Sequence, residues 1–329
     1  MSRIVMRRRS RFSPRIVVFT AVIAGFAATG VSADTLAQPK DDSLERTAAS
    51  YVQYREDVAA IEAMPFNNAN VTREAHRRLG AHNPKALSNG WVAYAALVAA
   101  DTPEFKEAIK DAMKKRKKRG MTGKDQLLSN IAQDPGFIRS MDGADEAVAA
   151  VLAMTASDGA RITALGETFK AQAYAMQKTK WGKQRIAASQ KRISEADAYS
   201  KKRATPGAPD LTRSSDGGVI APSLASAATW GSDWGEQAPA GRMRQANAKA
   251  VMDRILNLAA RYSTDTLNPK IVKVYATDRK SEQCLGMAKL TLNQCIAATR
   301  TPYEEAFCLG EHGLNDISTC TGWVGGTGS

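Results

Sequence analysis

The sequence predicts an all-α protein: a helical bundle-like N-terminal region, a linker, and a C-terminal helical hairpin with two nested disulfides. Three observations carry that prediction. Apolar residues recur at spacings of three, four and seven along most of the chain. The β-branched alternation that strands require is nearly absent. All four cysteines fall within the last 46 residues, placed symmetrically about a single helix-start signal. The 329 residues are 43% hydrophobic and 24% charged, enough to bury a sizeable core. That balance excludes a disordered, collagen-like or multi-pass membrane chain.

Residues 1–33 are expected to be a cleavable export signal. Six arginines (Arg3, Arg7, Arg8, Arg9, Arg11, Arg15) and no acid precede an apolar run from Ile16 to Val31, which ends in Val31-Ser32-Ala33. A cationic head, a short apolar body and small residues before the cut form the secretory pattern. Gly25 and Gly30 weaken the run as a permanent anchor. Phe12 stands one place too far from Arg8-Arg9 for twin-arginine export. No other stretch is expected to be apolar enough to span a bilayer. Of the 46 basic residues six belong to this leader, leaving 40 against 33 acids, a net charge of +7 rather than +13.

The expected domains are 34–203, helical; 204–238, a flexible linker; and 239–329, helical and disulfide-closed. Within the first, Leu44 to Met64 carries Tyr51, Val52, Val58, Ile61 and Met64 on one face and stops at Pro65. Helices are expected at Thr72–Leu79 and Pro84–Ala100. Thr102-Pro103-Glu104 starts the next, with a capping residue, a proline tolerated in the first turn and an acid facing the positive dipole end. That helix is expected to reach Arg119 and stop at Gly120. Short helices follow at Asp125–Gln133 and Pro135–Met141.

Ala144 to about Ser200 is the longest helical stretch, with Ile162, Leu165, Phe169, Ala173 and Met176 as its apolar stripe. Ser157-Asp158-Gly159 is expected to break it, since glycine within a helix costs about 1 kcal/mol against alanine. Prolines, glycines and serines from Ala204 to Ala228 mark the linker. Trp230 and Trp234 follow. Helical patterning resumes from Gly241 to Tyr262 and again after Pro269.

The cysteines give the sharpest inference. An even number in an exported chain favours disulfides. Cys295 and Cys308 have their midpoint at 301.5, and Cys284 and Cys320 at 302. Both midpoints fall on Thr301-Pro302-Tyr303-Glu304, whose threonine and glutamate have capping-box spacing. In an antiparallel hairpin, residues equidistant from the turn face one another, so the pairs Cys295–Cys308 and Cys284–Cys320 are predicted. Cys284 and Cys295 are about 20° from eclipsed on a helix, but Cys308 and Cys320 are about 120° out of phase. The returning helix is therefore expected to break, at Gly310 or Gly313. Each bond adds roughly 2–4 kcal/mol. No Cys-x-x-Cys pair exists, so neither a zinc site nor a redox motif is expected.

Signs of catalysis are weak. His76 and His82 are six apart and cannot share a helix face, and His312 follows Glu311 in a glycine-flanked stretch. Phosphate-cradling and nucleophile-elbow motifs are missing from the sequence. No cofactor or metal is expected, and no catalytic residue is assigned. Two basic clusters stand out. One is Lys114, Lys115, Arg116, Lys117, Lys118 and Arg119, placed at a helix C-terminus. The other runs through Lys170, Lys178, Lys180, Lys183, Arg185, Lys191, Arg192, Lys201, Lys202 and Arg203, with Trp181 among them. The export signal argues against nucleic acid as the partner. The anions outside the cytoplasm are phospholipid headgroups, lipopolysaccharide and wall polymers.

The expected protein is therefore periplasmic or secreted, non-catalytic, and structural or scaffolding. Lys114–Arg119 together with Lys180, Lys183 and Arg185 would bind an anionic component of the cell envelope, or another envelope protein would be the partner. The alternative is a cell-envelope hydrolase or transglycosylase using Glu304 or Glu311 near His312.

Overall fold

A computed structural model describes residues 43–115, 120–203 and 246–325. The expected signal (1–33), the linker with its two tryptophans, and Arg116, Lys117, Lys118 and Arg119 lie outside the described residues. Twelve α-helices and no strand occur among the described residues, as the periodicity predicts.

α3 (Pro84–Asp101) is apolar around its whole circumference, which places it at the centre. Trp91 through Leu97 are all 3% exposed or less. Asn83 caps its start by accepting from the Ala86 N–H, with Pro84 in the first turn. Around it pack α1 (Ser43–Glu62), α4 (Pro103–Lys114), α6 (Ala144–Met176), α8 (Ala246–Ser263) and α10 (Arg279–Ala298). α2 (Asn70–Leu79) lies against α7 (Ser189–Lys202), and α5 (Gly123–Gln133) against α4. α9 (Pro269–Tyr275) connects α8 to α10. Residues before and after the 204–245 segment share one hydrophobic core: Ile255 and Leu256 of α8 are buried with Trp91 and Leu97 of α3.

The structure departs from the sequence expectations at three helices. α4 ends at Lys114, and Lys115 is extended at φ −54°, ψ 138°. Of the basic run, Lys114 therefore closes the helix and Lys115 lies just past its end.

α6 runs unbroken for 33 residues, about 50 Å, straight through Ser157-Asp158-Gly159. These residues are tertiary contacts. Asp158 points inward, where its carboxylate pairs with Arg55 at 3.1 Å and accepts from the Tyr51 hydroxyl at 2.8 Å. The Gly159 carbonyl accepts from Ser318 Oγ at 2.9 Å. By length and composition α6 is also apolar enough to cross a membrane, against expectation, but it serves as a core helix. The actual interruption comes at 177–188, before α7.

The third departure concerns the C-terminal hairpin. Both predicted disulfides are present: Cys295–Cys308, with Cα atoms 5.7 Å apart, and Cys284–Cys320, at 5.4 Å. α11 (Pro302–Cys308) starts where expected, and Glu304 Oε2 accepts from the Thr301 N–H at 3.0 Å. The chain does not then break at a glycine. Residues Leu309–Asn315 form a π-helical segment that continues into α12 (Asp316–Gly322). A π-helix turns about 82° per residue against about 100° in an α-helix, so seven residues unwind the phase by about 126°. That cancels the 120° mismatch between Cys308 and Cys320. Gly310 and Gly313 are close-approach positions: a Cβ on Gly310 would stand 2.5 Å from the Gly166 carbonyl oxygen, and one on Gly313 3.2 Å from Leu79.

Candidate functional site

The sequence between α6 and α7 is built for exposure of positive charge. From Thr168 to Ser194 there are seven basic residues and no acid. Lys178, Lys180, Lys183 and Arg185 are exposed in the 177–188 connection, and none forms an ion pair among the described residues. The backbone that carries them is pinned. The Gly182 N–H donates to Thr179 Oγ1 at 2.9 Å, and the Gly182 carbonyl accepts from the Tyr303 N–H at 3.4 Å. The Ile186 N–H donates to the Arg300 carbonyl at 3.1 Å. Trp181 is half-buried against the core, so it anchors the loop. The Arg300 guanidinium covers the carbonyls of Ala297 and Thr299 at the end of α10.

Beside this loop lies a groove of about 310 Å³ between the end of α6 and the α10–α11 turn. Ala173, Tyr174, Tyr303, Phe307 and the Cys295–Cys308 bridge line it. Tyr174 is 62% exposed and Phe307 37%, their rings edge-on at 6.4 Å. Sequence reasoning missed this groove. The available signal was Tyr174, a large aromatic one residue off the buried stripe of α6.

The other sequence-predicted cations are not brought to the same place. Lys114 is engaged by Asp111 at 3.1 Å and Glu107 at 3.7 Å. Lys115 borders a cleft of about 670 Å³ whose lining includes Glu104, Glu107, Asp111, Asp142 and Glu146. The described part of the first cluster therefore sits among acids. Lys170 pairs with Glu311 at 2.8 Å and with Glu167 at 3.1 Å. Arg203 is held by Asp57. Arg192 is 2% exposed, donating to Glu305 at 2.7 Å and to the Thr299 carbonyl and hydroxyl. Lys191, Lys201 and Lys202 are exposed on α7.

The acids and histidines are occupied locally. Glu304 receives the backbone N–H groups of Arg300 and Thr301, which outweigh its partial burial and hold its carboxyl below the usual range. His312 Nδ1 meets Asp316 at 2.9 Å, one turn along the same helix. His76 is buried beside Glu305; burial first and the Arg192 charge second push its pKa down to about 4. His82 is also lowered by burial, though Asp57 at 2.6 Å opposes this. Arg78 and Arg203 also bind Asp57, so its charge is spent on two guanidinium groups. No group of three or more metal-ligating side chains occurs among the described residues.

The fold and these features define an all-α, disulfide-stapled protein with a fixed basic loop beside an apolar groove. Two disulfides with no free cysteine are consistent with an oxidising extracellular or periplasmic location. No protein family, curated protein or solved structure matches this chain.

Proposed function

We propose that this is an exported, non-catalytic envelope protein that docks on an anionic surface through the 177–188 loop. The observation that carries the reading is the set of four exposed cations, without an ion pair among the described residues, on a backbone tied to the disulfide hairpin. Fixing the loop in advance lowers the entropy lost when it binds. The leader-like first 33 residues and the disulfides support a periplasmic or secreted location, where anionic lipids and wall polymers are the available polyanions.

The experiment is co-sedimentation of the purified, oxidised protein with cell-wall sacculi and with anionic vesicles across a salt series. Each surface cation contributes about 1 kcal/mol toward an anionic membrane, so Lys180→Gln, Lys183→Gln and Arg185→Gln together are expected to weaken vesicle binding about a hundredfold. Binding is expected to fall steeply with salt, because exposed charges are screened beyond about 10 Å at 0.1 M. Failure to bind either surface at low salt, or binding unchanged in the triple variant, overturns the proposal.

A further inference from the structure

We infer that the groove floored by the Cys295–Cys308 bridge receives the acyl chain of an anionic lipid whose headgroup is held by the 177–188 loop. The inference rests on the anionic-surface reading and deepens it by naming the ligand class.

The groove adjoins the loop that carries the cations. Gln177 lines the groove and Lys178 follows it in the chain. Tyr303, another lining residue, donates its N–H to the carbonyl of Gly182, between Lys180 and Lys183. The single acid in the lining, Glu304, is turned to the backbone N–H groups of Arg300 and Thr301. An apolar trough beside a cationic loop is complementary to an amphiphile carrying negative charge at one end. A wall polymer would satisfy the loop and leave Tyr174 and Phe307 in water.

The size fits part of one chain and no more: about 310 Å³ is at the small end of the roughly 300–1,000 Å³ range for ligand sites. Each methylene taken from water contributes about 0.8 kcal/mol, so a few carbons in the groove add substantially to headgroup attraction. The disulfide holds α10 and α11 at a fixed separation, which keeps the trough open without a ligand.

The test uses vesicles of phosphatidylcholine with and without phosphatidylglycerol, and sacculi as a surface with no acyl chain. Tyr174→Ser combined with Phe307→Ser is expected to weaken binding to phosphatidylglycerol vesicles about tenfold and to leave sacculus binding unchanged, with circular dichroism and both disulfides intact. A second measurement does not depend on losing contacts. An indole introduced by Tyr174→Trp is expected to be quenched by lipids brominated on the acyl chain, beyond the quenching of the parent protein. If the double variant binds vesicles as the parent does and no added quenching occurs, the acyl-chain inference is overturned while the charge reading stands. If neither surface is bound at low salt, both fall together.

Discussion

Two glycines on α6, seven residues apart, are expected to respond oppositely to the same substitution. A Cβ on Gly166 would overlap the Asn315 side-chain amide and stand 2.9 Å from the Gly310 carbonyl oxygen. The amide can swing away by giving up its 2.7 Å bond to Glu167, but the backbone carbonyl cannot. α6 and the π segment must therefore separate. Overpacking of this kind costs about 1–3 kcal/mol, and alanine returns about 1 kcal/mol of helix propensity. Gly166→Ala should thus be destabilising by up to about 2 kcal/mol. At Gly159 the nearest atom to a new Cβ is Ser318 Oγ at 3.4 Å, so Gly159→Ala should keep most of its helical gain. The two variants should differ by about 1–3 kcal/mol, or roughly 2–12 °C in Tm. Urea and thermal unfolding of the oxidised protein measure this directly. Equal shifts of the same sign would refute the close passage of α6 over the π segment. Gly310→Ala probes the same contact from the other side, so its loss should not add to that of Gly166→Ala.

Two further outcomes follow from the buried charges. Arg192→Met leaves Glu305, fully buried, without its cation, and should cost about 3–5 kcal/mol in urea unfolding, most of it recovered when Glu305→Gln is added; a loss below about 1 kcal/mol for the single variant would contradict this pairing. His76 titrates near its ordinary value when unfolded and near 4 when folded, so the unfolded chain takes up a proton that the folded chain refuses. Stability should therefore fall as pH drops from about 6.5 toward 4, by up to about 3 kcal/mol, and His76→Gln should flatten that slope in a pH series of urea midpoints.

Helix starts were legible in the sequence because their determinants are local. Pro103 with Glu104, and Pro302 with Glu304, each lie within the first turn of the helix they set. The disulfide pairing was legible for a related reason, since a hairpin maps sequence symmetry onto space. Glycine in a helix was misread because its local cost is visible while its partner is distant. Gly159 accepts from a residue 159 positions away, and Gly166 faces Gly310. The expected breaks at Ser157-Asp158-Gly159 and at Gly310 turned out to be crossings of α6 with the C-terminal hairpin, while Gly313 faces Leu79 of α2.

The same distinction separates the two halves of the candidate site. Cations reveal themselves by composition, yet composition treats Arg192 and Lys183 alike, although Arg192 is buried on Glu305 and Lys183 faces water. Sorting them requires knowing which acid arrives from another helix. The groove is harder still, because Tyr174 and Phe307 are 133 residues apart and neither breaks a pattern conspicuously. Their meeting depends on α11 lying along α6, which in turn depends on the Gly166–Gly310 crossing. A substitution that opens that crossing should therefore disturb the groove as well as stability. The lipid-binding and unfolding measurements are thus linked through one packed contact.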